Sequence, residues 1–434
     1  MLKINAQIMT RVSPLIILNF LWVLNCFGQN GPINVENITI ARDSWGVAHI
    51  MARTDAEAAY GLAWANAEDN FATMQQLYMI GKGMYARYAG PDGAIYDYAL
   101  QAFRVREIIA EKYESELSSA FRKYIDGYVA GVNAYADAHP DQVLLKRLFP
   151  LSAKDVIQTY TVALLKEQGV ASPVSNIINN RVPKADMRRT PAQGSNGFAI
   201  SKQRTAEGKT FLLINPHQPL SGIGSNYEAH VHSDEGLNVH GGVWHGAMNP
   251  ATFANEHLAV MTTTNQLDFV DVFQLEMNPN GKEEYKFDDQ WMRLEKKVVK
   301  LHVKINRLLT LPVKRTVYWS KYGATFKNKS GFFSVRAGAN MRITAAEQIY
   351  RMNKATSFSE FKKWASYFPI ENFIYADKND TIFLVNNGLV PKRSGSYDWS
   401  RTVPGNTTKT LWSEFRSIDE LPHYINPKAG TSTM

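Results

Sequence analysis

Cysteine is almost absent from this sequence. The 434 residues contain only Cys26, and it lies within residues 1–28, which have the composition of a cleaved export signal. An exported chain without cysteine has no disulfide, no thiol nucleophile and no cysteine-ligated zinc site. Its stability must come from buried apolar surface, with a hard cation as the one additional support that the sequence leaves open.

Long apolar runs are missing as well. The apolar run at residues 15–24 is interrupted by Asn19, and it is too short to span a bilayer comfortably, so we expect no stable membrane insertion. Basic residues precede this run and the small residue Gly28 follows it. This order predicts a secretory signal peptide over residues 1–28 and a periplasmic or secreted mature protein.

The sequence also lacks a concentration of charge. Its formal net charge is +8, from 48 Lys and Arg against 40 Asp and Glu, but the basic residues are spread along the chain and form no basic tail. We therefore expect no nucleic-acid partner. The content of 45% hydrophobic and 20% charged residues is typical of a folded globular protein and excludes a largely disordered one.

The order of predicted elements divides the chain in two. Apolar residues at helical spacing predict helices over residues 55–88 and 114–138, after an extended segment at 38–50 with a turn at 43–46. Residues 182–194 are basic and contain proline, which predicts an exposed connector. Strands are predicted beyond it, at residues 196–201, 210–214, 227–232, 258–264 and 373–385. A helical part followed by a strand-rich part indicates an α+β fold.

The connector ends at Gly194-Ser195-Asn196-Gly197, which taken alone is typical of a turn. The segments around it resemble, in the same order, those of the penicillin acylase family of N-terminal-nucleophile hydrolases. The resemblance extends from residue 38 to residue 430. It rests on ARDSWGVAHI (41–50), AAYGLAWANAEDN (58–70), NPH (215–217), NEHLA (255–259), TTTN (262–265), DFVD (268–271), YAD (375–377), VPG (403–405) and NPKAG (426–430).

The resemblance implies an αββα sandwich core. In this arrangement residues 29–181 form a mainly helical α-chain region, residues 182–194 a connector that is cleaved or removed, and residues 195–434 a β-chain region. The family's oxyanion-hole asparagine is expected within about ten residues after the segment at 426–430. We therefore expect the C-terminal part of the family fold to be missing from this chain.

The resemblance further implies that the chain cuts its own Gly194–Ser195 bond, which leaves an α/β heterodimer. Ser195 then carries a free α-amino group, which titrates near pH ~8 and can take the proton of the serine hydroxyl at neutral pH. The expected substrates are N-acylated small molecules such as penicillins or acyl-homoserine lactones. The resemblance implies no organic cofactor.

Four further residues receive roles from the resemblance. The backbone N–H of Thr264 is expected to donate to the oxyanion, although this residue has the alternative of being an ordinary strand threonine. His217 is expected to orient Ser195 or the substrate, and its alternative is a surface histidine without a role. Gln218 and Thr252 fall where relatives shape the acyl pocket.

A structural Ca²⁺ is also implied by the resemblance. Its ligands would be the carboxylates of Asp268 and Asp271 and the carbonyl of Val270, with Asn176 where relatives carry a glutamate. The pair His230 and His232, two residues apart on one strand, could ligate zinc, but no third ligand follows at a recognisable spacing. We therefore do not expect a catalytic metal.

Two other functions compete with the acylase prediction. The first is a truncated, catalytically inactive acylase-like binding protein, which the early end of the chain favours and the intact Gly194-Ser195 disfavours. The second is a serine hydrolase of the β-lactamase kind, which requires a Ser-x-x-Lys helix. The segments at Ser201 and Ser320 do not supply that spacing.

Overall fold

The computed structural model describes residues 33–181, 194–265 and 267–433. The predicted signal peptide at residues 1–28 and the predicted connector, apart from Gly194, lie outside the described residues. The described residues from Val35 onward belong to one compact unit.

Helices form most of the described chain before the connector. Their bounds are Asp55–Gly81 (α1), Ala86–Ala89 (α2), Pro91–Ala102 (α3), Val105–Glu116 (α4), Ser119–Ala138 (α5), Ala153–Glu167 (α6) and Ala171–Ile178 (α7), and Ala345–Asn353 (α8) and Phe358–Ala365 (α9) follow later in the chain. None of the described helices combines the length and apolar character needed to cross a membrane.

The two predicted helices are present but with different bounds. α1 begins as predicted, because the Thr54 hydroxyl accepts from the backbone N–H of Glu57 and the Glu57 carboxylate accepts from the N–H of Thr54. It ends at Gly81, before Gly83 turns the chain with φ 61°. The second helix begins at Ser119, not at 114, since Ser118 caps it by accepting from the N–H of Phe121 at 3.2 Å.

Helices α1 and α5 approach each other closely through glycine. A Cβ atom on Gly127 would lie 2.1 Å from the backbone oxygen of Ala56, and one on Gly131 would lie 2.5 Å from that of Tyr60. Both glycines are buried in α5. The absence of a side chain at these two positions therefore sets the distance between the two helices.

We expect Gly127→Ala to destabilise the protein by about 1–3 kcal/mol, because the added methyl group pushes α5 away from α1. This loss should appear although alanine is the better helix former by about 1 kcal/mol. The measurement is the free energy of unfolding in denaturant. Gly395→Ala is the matched control, since a Cβ there meets no atom within 4 Å. A Gly127→Ala protein as stable as the wild type would contradict the prediction.

Strands are the main regular structure of the described chain after the connector. Before it lie only Thr39–Arg42 (β1) and Ala48–Ala52 (β2), as predicted for residues 38–50. The other strands are Ser195–Ile200 (β3), Phe211–Pro216 (β4), Asn226–Ser233 (β5), Asn238–Trp244 (β6), Thr252–Asn255 (β7), Leu258–Thr263 (β8), Val270–Gln274 (β9), Glu284–Phe287 (β10), Gln290–Arg293 (β11), Glu295–Lys304 (β12), Thr310–Ser320 (β13), Gly323–Asn328 (β14), Gly331–Ala337 (β15), Asn372–Asp377 (β16), Ile382–Asn386 (β17), Val403–Pro404 (β18), His423–Ile425 (β19) and Thr431–Thr433 (β20).

These strands form four sheets. The largest has the order β1-β2-β5-β6-β7-β8-β16-β17-β19. A three-stranded sheet has the order β20-β3-β4, a six-stranded one the order β12-β13-β14-β15-β9-β18, and β10 pairs with β11. The parallel pairing of β2 with β5 joins the segment before the connector to the segment after it.

One strand prediction needs correction. Residues 373–385 were expected to be a single extended segment, but they form the antiparallel hairpin β16–β17. Asp377 makes the turn, because its Oδ1 accepts from the N–H groups of Asn379 and Thr381, both at 2.9 Å. An aspartate that binds its own downstream backbone competes with strand continuation.

At β8, β16 and β17 the large sheet has one face on the helices and one on the three-stranded sheet. Alternation along β16 illustrates the division, since Tyr375 lies in the core shared with the helices and Ile374 lies in the core between the two sheets. Ala199 of β3 and Met261 of β8 share the core between the sheets. The predicted α+β class, with two sheets packed face to face beside a helical layer, is confirmed.

Candidate active site

Ser195 is the first residue of β3 and lies opposite Pro216 at the end of β4. Its Oγ donates to the carbonyl of Gly194 at 2.8 Å and accepts from the backbone N–H of His217 at 3.4 Å. Gly194 is exposed and Ser195 is half-buried. The hydroxyl therefore lies beside the peptide group that joins these two residues, at a point that solvent can reach.

Ser195 lines a small cleft of about 20 Å³, which has room for about one water molecule. Three other residues singled out in the sequence, Gln218, Thr252 and Thr264, line the same cleft. The complete lining is Ser195, Pro216, Gln218, Asn226, Gly242, Trp244, Ala251, Thr252, Thr262, Thr264 and Glu371. The fold thus brings together four predicted site residues that span 70 positions of the sequence.

Thr264 follows directly after β8, and a neighbouring asparagine holds its peptide. The Asn372 amide donates to the hydroxyl of Thr263 at 2.9 Å and to the carbonyl of Thr264 at 3.1 Å. Asn372 is 4% exposed, so these bonds lie away from water and fix the chain where it enters the cleft. The predicted oxyanion role of the Thr264 N–H stays a prediction.

Thr252 opens β7 and is held against β8. Its Oγ1 lies 3.2 Å from Oγ1 of Thr262 and 3.4 Å from the backbone N of Thr262, which donates to it. The hydroxyl is therefore partly used within the protein, while Thr252 and its apolar neighbour Ala251 both line the cleft. This arrangement suits one wall of an acyl pocket.

His217 contacts Ser195 through its backbone N–H, and its imidazole ring is exposed to solvent. The ring Nε2 lies 3.3 Å from the Asn215 amide nitrogen, while the cleft lining includes Pro216 and Gln218 on either side of His217. The described contact of His217 with Ser195 is made by its backbone N–H, which donates to Ser195 Oγ at 3.4 Å. The orienting role predicted for this residue stays a prediction.

Several cleft residues carried no signal in the sequence. Asn226 and Trp244 face each other across β5 and β6, which depends on strand pairing that sequence patterns do not reveal. Glu371 precedes β16 and has φ 99°, a value that a non-glycine residue adopts only at a cost of about 1–3 kcal/mol. Backbone strain of this kind concentrates at functional sites, but it can be recognised only in the folded chain.

The residues predicted to hold calcium form an ion-pair cluster. Arg393 donates from Nε to Asp271 Oδ2 at 2.7 Å and from Nη2 to the Asp268 carbonyl at 3.0 Å, and Nη2 lies 3.2 Å from Asp268 Oδ2. Trp412 also donates to Asp271 Oδ2, at 2.6 Å. Burial raises the pKa of Asp271 to about 6, although the charge of Arg393 acts in the opposite direction.

This cluster fits an arginine better than it fits a calcium ion. A Ca²⁺ ion between the two carboxylates would meet the full positive charge of Arg393, which is already at hydrogen-bond distance from both. Asp268 Oδ1 and Asp271 Oδ1 are buried without a hydrogen-bond partner among the described residues. Asn176 lies on α7, and no described hydrogen bond joins it to either aspartate. Calcium stays a prediction that this geometry disfavours.

A preassembled metal centre is not present in the part of the chain that the structure describes, where no group of three or more His, Cys, Asp or Glu side chains is arranged to hold an ion. His230 and His232, on one face of β5, belong to no such group there. The Ser195 cleft itself is lined by hydroxyl and amide groups and by Glu371.

Comparison with known proteins gives matches over nearly the whole described chain. The family model described as Penicillin amidase matches residues 37–433. The acyl-homoserine lactone acylase PvdQ of Pseudomonas fluorescens (strain Pf0-1) is 25% identical over 401 residues, covering 82% of this chain and 50% of that protein. The aculeacin-A acylase of Actinoplanes utahensis is 23% identical over 407 residues, which cover 82% of this chain and 50% of that protein.

Among solved structures, a thermostable penicillin G acylase from Alcaligenes faecalis is similar at 23% identity and a TM-score of 0.48. The similarity covers 55% of this chain and 43% of that one. The chain spans about half the length of the curated relatives it matches.

Proposed function

Because this chain belongs to the penicillin amidase family, in which its relatives are acylases, we propose that it is an amide hydrolase whose nucleophile is Ser195. The observation that carries the proposal is the position of the serine. It opens β3 at the mouth of a cleft, with its Oγ 2.8 Å from the Gly194 carbonyl oxygen.

The first proposed step is self-cleavage. Ser195 Oγ attacks the carbonyl carbon of Gly194, and the Gly194–Ser195 C–N bond breaks as a C–O ester bond forms. The serine nitrogen takes the hydroxyl proton and becomes the free α-amine. Water then hydrolyses the ester, leaving the Gly194 carboxylate and the N-terminal Ser195. The exposure of Gly194 supports this step, because water must reach the ester.

The free amine then serves as the base for substrate hydrolysis. It takes the proton from Oγ as the oxygen attacks the amide carbon of the substrate, and it passes that proton to the leaving nitrogen as the C–N bond breaks. Water attacks the resulting acyl ester, and the proton that it loses returns to Oγ through the amine. No histidine is needed, which agrees with the exposed position of the His217 ring.

The two pieces produced by cleavage are expected to stay together as an α/β heterodimer. Strands β2 and β5 pair across the cleavage point over five residues. The buried carboxylate of Asp55 on α1 is paired with Lys354 after α8. Both segments also contribute to one apolar core, which includes Leu62 and Val260. Separation would expose that core to water.

The substrates we propose are N-acylated small molecules, with penicillins and acyl-homoserine lactones as candidates. The cleft has apolar surface from Trp244 and Ala251 for an acyl group, and polar groups from Gln218 and Asn226 that can orient an amide. We further propose that residues 1–28 direct export, which rests on their sequence pattern alone.

The proposed function is tested with the purified, untagged chain, incubated at neutral pH and analysed by intact mass and N-terminal sequencing. We expect two pieces, the second beginning at Ser195. Release of primary amine from penicillin G and from acyl-homoserine lactones of graded chain length then measures hydrolysis. One uncut chain that releases no amine would instead support an acylase-like binding protein.

A further inference from the structure

Three histidines form a row on the outer face of the large sheet. His49 of β2 lies opposite His230 of β5, and His230 lies opposite His240 of β6. The alternate residues Ala229 and Val231 are buried on the inner face. The three rings therefore stand side by side on the solvent face, in a cleft that shares no lining residue with the cleft of Ser195.

The central contact of this row joins two ring nitrogens. His49 Nδ1 lies 3.2 Å from His230 Nδ1. Two imidazole nitrogens at 2.0–2.1 Å from one tetrahedral zinc ion would be about 3.3 Å apart. The pair thus already has nearly the separation that a shared ion requires.

The outer nitrogen of His230 is held by a chain of hydrogen bonds. His230 Nε2 lies 2.8 Å from Asn238 Oδ1, and the Asn238 amide nitrogen donates to Glu256 Oε1 at 2.7 Å. Because the carboxylate can only accept, the amide must present its oxygen to the ring. His230 Nε2 therefore carries a hydrogen, and in the neutral ring Nδ1 has a free lone pair.

The outer nitrogen of His49 also faces an acceptor. Its Nε2 lies 3.6 Å from Asp43 Oδ2, and Asp43 is fixed because its Oδ1 accepts from the N–H groups of Trp45 and Val47. In the metal-free protein one Nδ1 can donate to the other across 3.2 Å, and an ion bound by both nitrogens would take the place of that hydrogen.

We propose that His49 and His230 form a binding site for a divalent transition metal of the zinc type, with Nδ1 of each ring as a ligand. Imidazole suits zinc, nickel and copper, and the outer-nitrogen contacts to Asp43 and Asn238 are the supporting bonds that metal-ligating histidines have. Within the described ranges no third ligand is preassembled, so water fills the other positions. His240, which now pairs with Glu228 at 3.1 Å, lies opposite His230 and could rotate toward the ion.

The test is zinc binding by the untagged full chain, measured by titration calorimetry with ZnCl₂. We expect one ion per chain in the wild type and at least about tenfold weaker binding in His49→Gln and in His230→Gln, since even supporting residues are worth ~10–100-fold. His232→Gln is the matched control. It is on the same face of β5, opposite Met51 and Asn238, and it should bind zinc as the wild type does.

Zinc should also raise the melting midpoint of the wild type and leave the two variants unchanged, because an ion that binds only the folded chain stabilises it. Equal zinc affinity in the wild type and in the His49→Gln/His230→Gln double variant would overturn the proposal. So would an equal loss in His232→Gln.

A second measurement does not depend on altered histidines. Trp45 lines the same cleft and is 89% exposed, so Cu²⁺ bound at the pair should quench its fluorescence. We expect saturable quenching in the wild type that is much reduced in Trp45→Phe. Quenching that is identical in both proteins would count against an ion beside His49 and His230.

Discussion

Replacing Ser195 by alanine is expected to leave the chain as one uncut polypeptide without amide hydrolysis. Alanine has no oxygen to attack either the Gly194 carbonyl or a substrate, so both reactions lose their nucleophile at once. Removal of the serine nucleophile costs on the order of 10⁶-fold in a serine protease. We therefore expect product formation to fall to the rate without protein.

The measurements are intact mass for cleavage and amine release for hydrolysis, with Ser221→Ala as the matched control. Ser221 is an exposed serine downstream in the same region, and its loss should change neither reaction. Ser195→Cys retains a nucleophile and should still be cut. Cleavage of the Ser195→Ala chain at position 194 would show that another group attacks this bond, and the proposed mechanism would then be wrong.

Replacing Arg393 by methionine is expected to destabilise the protein by about 3–5 kcal/mol. The substitution keeps an apolar stem but leaves the carboxylate of Asp271, which is 1% exposed, without its cation. An uncompensated buried charge has a cost of this size. Denaturant unfolding measures the loss.

Arg401→Met is the control for removing an arginine from an ion pair. Arg401 pairs with Asp398 at 3.2 Å, but the two side chains are 79% and 59% exposed, and exposed pairs contribute about 0–1 kcal/mol. Equal effects of the two substitutions would contradict a special role for the buried cluster.

The loss caused by Arg393→Met should also depend on pH. Burial already raises the pKa of Asp271 to about 6, and removing the guanidinium charge raises this pKa further. A carboxyl group with a raised pKa in the folded state binds its proton more tightly there than in the unfolded chain. Its stabilising effect is present at low pH and is lost as the pH rises through the folded pKa. We expect a smaller loss at pH 5 than at pH 8.

Calcium addition separates arginine from calcium as the partner of the two aspartates. If Arg393 supplies the positive charge, added Ca²⁺ leaves the melting midpoint of the metal-free wild type unchanged. A rise in that midpoint with Ca²⁺ would instead support the calcium site predicted from the sequence.

The sequence by itself determined the local features of this protein. Helical spacing predicted the start of α1, and the cap that the structure shows at Thr54 explains that start, because a helix start depends on residues within one turn of it. Alternation predicted β3, β4, β5 and β8 to within about two residues. It failed at residues 373–385, where the polar residues 377–381 between two apolar runs are a turn signal that the prediction missed.

Only the tertiary structure decided which distant residues meet. Resemblance pointed to Ser195, Gln218, Thr252 and Thr264 one at a time, but their common cleft depends on how β3 and β4 pack against the large sheet. Arg393 reaches Asp271 across 122 positions of sequence, and His49 reaches His230 across 181. A period of two along a strand fixes which face a residue occupies, whereas its neighbour on that face is set by pairing between distant strands. That pairing is a property of the folded chain.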